Sequence, residues 1–363
     1  MKKLLVILTT VTMLISLAAC GIQTNSDTNA NSQDTQAAKT TAAQSQGSQA
    51  AESSGSGNAY VMRIGTPTTN DPQVYEMGEF KRILEEKTAG KITVQTYPSG
   101  QLGSNTQMLQ GLQAGTIQGL LEPTAFLGGF SSVVNVVDLP YFFKDVWSAA
   151  ELLNSPDGDG LRQYLEGKGV ATGSFYPYGD RVTLTNFNVQ KIEDFKGKKI
   201  RVMGAKVLQQ QFNVWGGAGI PMDVPELYTA LQQKTLDGLE SAPQFFQTGK
   251  YYEVAKYLFY EPKGAEVTIF MFNKNWVDIL PDDLRQAVYD AAKEVYPLAL
   301  EYAKKSQDDA LKIMKDAGVQ VVEAAPDFHA KLVEATKAVH DEFLKDNPDA
   351  KPIYEQLQKA VGN

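Results

Sequence analysis

Leu112-Gln113-Ala114-Gly115-Thr116-Ile117-Gln118-Gly119-Leu120 returns 119 residues later as Leu231-Gln232-Gln233-Lys234-Thr235-Leu236-Asp237-Gly238-Leu239, with five of nine positions identical. In each copy an amphipathic helix end gives way to a turn and then to a strand carrying Gly-Leu. Two helix ends can also look alike by chance, and nine positions alone leave that reading open. If the copies are related, each directs the end of one strand and its following loop at a shared cleft. Ligands of open α/β sheets sit off such carboxyl ends.

Outward from these copies the chain alternates in the same way. Runs rich in β-branched and aromatic residues predict strands over 60–65, 91–96, 170–175, 199–203, 236–240 and 267–273. Amphipathic stretches predict helices over 74–88 and 105–113, the second following the turn Tyr97-Pro98-Ser99-Gly100. Strands alternating with helices of this length indicate an α/β chain built on largely parallel sheet. About three hundred such residues exceed one comfortable core, which favours two lobes. One helix, 282–317, is long enough at 1.5 Å per residue to reach about 54 Å. Pro297 lies inside it and should kink or divide it. A further amphipathic helix over 327–345 closes on Asn347-Pro348.

Composition narrows the function. The 363 residues carry a formal charge of −8 and a pI near 5.0, the wrong sign for a general nucleic-acid binder. One Cys and two His exclude a disulfide framework and Cys/His metal centres. No metal or cofactor is expected. The lone Cys20 ends the run Leu17-Ala18-Ala19-Cys20, after Lys2, Lys3 and an apolar stretch over 4–17. That pattern predicts a secretory signal over 1–19. It is also similar to a bacterial lipobox, which implies lipid on Cys20 and a membrane anchor; an ordinary signal with a chance Cys is the alternative. Residues 21–58 are mostly Ser, Thr, Asn, Gln, Ala and Gly, with only Ile22 as a large aliphatic side chain and no aromatic. They read as a disordered tether, making 20–58 a lipidated linker with an end-to-end distance of roughly 30–35 Å.

Two arginines carry the chemical signal. Arg201 lies between Ile200 and Val202 on a predicted inner strand, and Arg181 follows Tyr176-Pro177-Tyr178-Gly179-Asp180. A guanidinium in such a strand needs a partner, and its planar fork suits a carboxylate. At about 4 Å and an effective dielectric near 20 the contact amounts to about 4 kcal/mol before desolvation. The alternative for Arg201 is a strand-end cation solvated beside Lys198 and Lys199.

Nine ordered blocks then carry a family resemblance. They are Tyr97-Pro98-Ser99-Gly100-Gln101-Leu102-Gly103, Met108-Leu109 with Gly115, Asp138-Leu139-Pro140-Tyr141-Phe142-Phe143, and Phe195-Lys196-Gly197-Lys198-Lys199-Ile200-Arg201-Val202. Pro221-Met222, Glu226-Leu227-Tyr228-Thr229-Ala230-Leu231-Gln232, Asp237-Gly238-Leu239-Glu240, Tyr252-Glu253-Val254-Ala255-Lys256-Tyr257 and Leu280-Pro281 with Leu284 follow. Residues from about 60 to 352 resemble the extracytoplasmic solute receptors of TRAP transporters.

The resemblance implies a two-lobed, periplasmic-binding-protein-like fold with crossover hinge strands and a long helix spanning both lobes. Lobe I would take 59–178 and 267–306, and lobe II 179–266 and 307–363. It implies a receptor, not an enzyme, that hands a small organic acid to small and large membrane subunits driven by an ion gradient. Arg201 falls on the family's carboxylate-binding arginine and Arg181 resembles a second arginine used on the same ligand. Glu76, Glu122, Thr124, Tyr176 and Trp215 are further cleft candidates, near predicted strand ends or cleft loops. The chain departs from the family at Ser241, often Asn, and at Met203, Val224 and Lys234, so the acid stays open. Two other readings stand beside this one. The first is the receptor of an ATP-driven importer. The second is a surface-anchored hydrolase, weakened because His329 and His340 both fall on the helix over 327–345.

Overall fold

The computed structural model describes residues 60–362. The predicted signal, Cys20 and the tether lie outside the described residues. The chain begins with β1 (Tyr60–Gly65), α1 (Pro72–Lys87), β2 (Ile92–Tyr97), α2 (Asn105–Ala114) and β3 (Gly119–Pro123). α3 (Val146–Asn154) and α4 (Asp159–Gly167) lead into β4 (Val170–Asp180). Next come β5 (Val182–Thr185), β6 (Lys199–Val202), α5 (Lys206–Val214), β7 (Ala218–Pro221), α6 (Leu227–Gln232), β8 (Gly238–Ser241), α7 (Pro243–Thr248) and β9 (Tyr257–Phe259). β10 (Ala265–Asn273), α8 (Lys274–Asp278), α9 (Asp282–Asp316), β11 (Gln320–Val322), α10 (Pro326–Asp346) and α11 (Lys351–Val361) complete it.

The strands form two sheets, ordered β2-β1-β3-β10-β4 and β11-β9-β5-β8-β6-β7. Both run largely parallel, as expected, but neither is wholly so. Each contains one reversed strand: β10 is antiparallel to β3 and β4, and β5 is antiparallel to β8 and β9. The reason lies in the connections. The chain passes between the sheets at Arg181, directly after β4, and again through 260–264, directly after β9. A strand that arrives straight from the other sheet enters at the end where its neighbours finish, so it must run against them. Val182 accordingly pairs with Ser241, and Ala265 with Asp180.

The two copies of the opening motif share backbone conformation and hydrogen bonding at their turns. Gly115 and Lys234 both take left-handed backbone, with φ of 78° and 59°. Thr116 and Thr235 donate through backbone N and Oγ1 to the carbonyls of Gly111 and Ala230. Gln118 Oε1 accepts from Arg63 N and Asp237 Oδ2 from Lys199 N, both at 2.9 Å. Equivalent side chains thus pin the neighbouring strand in each sheet, and β3 and β8 begin at equivalent residues, Gly119 and Gly238.

α9 is a single helix through Pro297, not divided there. Val295 and Ala299 on either side are fully buried, and this packing holds a turn that lacks one backbone hydrogen bond. Its first half joins the core of α1 and the first sheet, while Met314 joins the core of the second. Gln307 links it to the crossover, accepting from Asp180 N at 2.8 Å and donating to Asp180 Oδ2 at 2.9 Å. The C-terminus departs from the expected lobe II assignment. α10 packs on α5, but α11 packs on α4 beside the first sheet, because Ile353 and Leu357 share a core with Leu161 and Leu165.

Candidate functional site

The ends of β1, β3, β6 and β8 converge between the sheets on a narrow cavity. Its walls include Thr68 and Pro123 from the first sheet's loops, Arg201 and Met203 from β6 and its loop, and Ser241 from β8. Its volume is about 10 Å³, room for roughly one water.

Arg201 is 1% exposed. Its guanidinium lies between the rings of Phe126, at 5.9 Å, and Phe245, at 5.7 Å. Phe126 follows β3 and Phe245 belongs to α7, so each sheet's region supplies one face of the sandwich. Nε donates to the Met222 carbonyl at 2.9 Å, whereas buried Nη2 has no partner among the described residues. Burial lowers the proton affinity of this guanidinium, and Glu240 opposes that effect.

Arg181 is equally buried, and its Nε and Nη1 also lack a hydrogen-bond partner among the described residues, but it is ion-paired. Nη2 lies 2.9 Å from Asp138 Oδ1, Nη1 lies 3.2 Å from Glu240 Oε1, and Nη2 also donates to the Ala265 carbonyl at 3.2 Å. Thr124 Oγ1 and Asn135 Nδ2 donate to Asp138 from the other side, at 3.0 and 3.1 Å. Arg181 and Thr124 therefore belong to one buried network behind the cavity rather than to its lining. Burial pushes the Asp138 carboxyl up to about 6, with Arg181 pulling it back.

Ser241 lines the cavity and donates to Glu266, at 2.8 Å to Oε2 and 3.0 Å to Oε1. Glu266, the second residue of β10, also lines it, and burial pushes its carboxyl up to about 7. Glu122, at the equivalent position to Ser241 in the other copy, accepts from Asn105 Nδ2. Burial raises its carboxyl to about 8. Glu122 is also outside the cavity's walls, and three more candidates lie elsewhere. Tyr176 donates to the Ala292 carbonyl at 2.7 Å inside the core of α9. Trp215 packs between Phe195 and Phe212. Glu76 is fully buried on α1, its carboxyl without a hydrogen-bond partner among the described residues. None of the three lines the cavity. Core packing claimed Tyr176 and Trp215, and nearness to a strand end does not distinguish core from cleft.

Sequence reasoning missed Glu266, Phe126 and Phe245. Glu266 carried a usable signal, since it stands between Ala265 and Val267 in an apolar strand as Arg201 stands between Ile200 and Val202. The two histidines sit elsewhere: His329 Nδ1 meets Glu261 Oε1 at 2.6 Å, and His340 Nε2 meets the Pro140 carbonyl at 2.8 Å.

Residues 65–347 match the family model described as bacterial extracellular solute-binding protein, family 7. The chain is 30% identical over 315 residues to the 2,3-diketo-L-gulonate-binding periplasmic protein YiaO of Escherichia coli (strain K12), covering 86% of this chain and 95% of that protein. It is 32% identical over 285 residues to the C4-dicarboxylate-binding periplasmic protein DctP of Rhodobacter capsulatus, covering 78% and 82%. Among solved structures, a TRAP periplasmic solute binding protein from Desulfovibrio salexigens with bound orotic acid is 31% identical. That match has a TM-score of 0.79 and covers 83% of this chain and 99% of the other. Fold and sequence agree, and the chain belongs to the family 7 bacterial extracellular solute-binding proteins, the solute receptors of TRAP transporters.

Proposed function

We propose that this receptor binds a small organic acid between its two sheets, with Arg201 holding the carboxylate, and delivers it to small and large TRAP membrane subunits. One observation supports this most. Nη2 of a buried guanidinium lacks a partner among the described residues, beside a cavity built from four strand ends. An unbonded buried donor costs on the order of 1–3 kcal/mol, more when charged, and a ligand oxygen would recover that cost. The three relatives named above carry chemically different acids, consistent with one clamp and variable surroundings. Membership in this family argues against both the ATP-driven importer and the hydrolase.

A cavity of about 10 Å³ is too small for a carboxylate, so entry requires the sheets to part. The links at Arg181 and 260–264 are where such a hinge would bend, and contacts from both sides of the ligand then favour closure. The family is extracytoplasmic, and no helix among the described residues is long and apolar enough to cross a membrane. Diacylglyceryl modification of Cys20, with 20–58 as the leash, would hold the receptor at the outer face of the cell membrane. Cys20→Ser should then release the protein from the membrane fraction, and retention there would count against the anchor. The binding reading is tested by a thermal-shift screen of monocarboxylates, dicarboxylates, sugar acids and keto acids. A ligand at about 100 times its Kd adds roughly 2.7 kcal/mol of stability. Arg201→Ala should abolish the shift while the protein remains folded, and an unchanged shift would refute the clamp.

A further inference from the structure

Beyond the narrow cavity the cleft widens into an outer chamber of about 280 Å³ that shares Thr68 and Phe245 with it. Four hydroxyl-bearing residues, Thr68, Thr69, Thr248 and Tyr251, and Asp71 share its walls with Pro67, Val224 and Phe245. Its described walls contain no lysine or arginine. Asp71 is fixed in place: it caps α1, accepts from Thr68 Oγ1 at 2.8 Å and accepts from the Tyr178 hydroxyl at 2.9 Å.

The inner cavity has the same imbalance. Arg181 is committed to Asp138 and Glu240, leaving Arg201 as the one cation among the cavity's described walls, with Glu266 as an anion in the same walls. Ser241 occupies one donor contact of Glu266, and a carboxylate has further lone pairs for a second donor. A ligand with two carboxylates would place the first on Arg201 and the second against Glu266 or Asp71, with no second cation to meet it. A ligand with one carboxylate and several hydroxyls finds an acceptor or a hydroxyl at every turn.

We infer that Glu266 and the hydroxyl-lined outer chamber set the specificity of this site, selecting polyhydroxylated monocarboxylates and rejecting dicarboxylates. Glu266 acts by accepting a hydroxyl of the ligand and, once ionised above about pH 7, by repelling a second carboxylate. Asp71 extends the same selection to the ligand's far end. The inference rests on Arg201 being the carboxylate clamp.

Calorimetric titration of the purified protein tests it, with gluconate, gulonate, galactonate and glucuronate set against succinate, malate and glutarate. The tightest hydroxylated acid should bind at least about a hundredfold more tightly than any of the dicarboxylates, since like charges held together in a closed site cost several kcal/mol. Glu266→Gln removes the repelling charge and keeps an acceptor. It should narrow that ratio by about tenfold or more, mainly by admitting succinate. A wild-type protein that binds succinate as well as any hydroxylated acid, or that binds none of the four hydroxylated acids, overturns the inference, and neither result depends on a variant folding. A ratio unmoved in folded Glu266→Gln overturns the role of Glu266. Arg201→Ala separates the two levels. If it abolishes all binding while the ratio fails to behave as stated, only the specificity falls; if binding survives it, the clamp falls as well.

Discussion

Arg181 and Arg201 are twenty residues apart, both 1% exposed, and both within reach of Glu240's field. They differ in what stands next to them. Arg181 sits at the crossover between β4 and β5 and faces two carboxylates, Asp138 at 2.9 Å and Glu240 at 3.2 Å. Arg201 sits on β6 between two aromatic rings, with a backbone carbonyl as its hydrogen-bond partner. A buried charge with both partners built into the protein serves the fold. A buried charge with no ion pair among the described residues, in the wall of a cavity, is available to something from outside.

The largest difference should appear in stability. Breaking a buried ion pair from one side leaves the other charges uncompensated and typically costs about 3–5 kcal/mol. Arg181→Ala strands Asp138 and Glu240, so its unfolding free energy from urea titration should fall by about that amount, with a lower midpoint. Arg201→Ala strands no ion-paired carboxylate, and its midpoint should move much less. Equal losses for the two variants would erase the distinction.

A smaller effect concerns the carboxyls around these arginines. Asp138, beside Arg181, is raised to about 6, while Glu122, which has no cation among its hydrogen-bond or ion-pair contacts, is raised to about 8. A carboxyl whose folded-state pKa is raised contributes stability that is complete below its unfolded value and is lost as pH rises through the folded one. For Glu122 that window runs from 4.5 to about 8. Stability should therefore decline across it, and Glu122→Gln, which keeps an acceptor for Asn105, should flatten the decline. A variant with the wild-type slope would show that Glu122 does not titrate there.

Much of this contrast could be read in the sequence, and the limits have physical causes. Arg201 was legible because a charged residue flanked by Ile200 and Val202 in a strand has few ways to be satisfied. Glu266, flanked by Ala265 and Val267, obeys the same logic and was within reach. The strand–helix alternation and the repeated turn at Gly115 and Lys234 were legible because left-handed backbone and helix periodicity leave local marks. The reversal of β5 and β10 was not, since strand direction follows from where the chain crosses between sheets, and hydrophobic patterning carries no record of that. The commitment of Arg181 to Asp138 was hidden for a similar reason: its partner is 43 residues away. Tyr176 and Trp215 show the converse, since an aromatic near a strand end looks the same whether it faces ligand or core.

The central claim is tested most directly by a crystal structure of the protein with its acid bound. A carboxylate oxygen should lie within hydrogen-bond distance of Arg201 Nη2, while Arg181 keeps Asp138 and Glu240. A carboxylate held on Arg181, or anywhere else while Arg201 Nη2 stays unbonded, would contradict it.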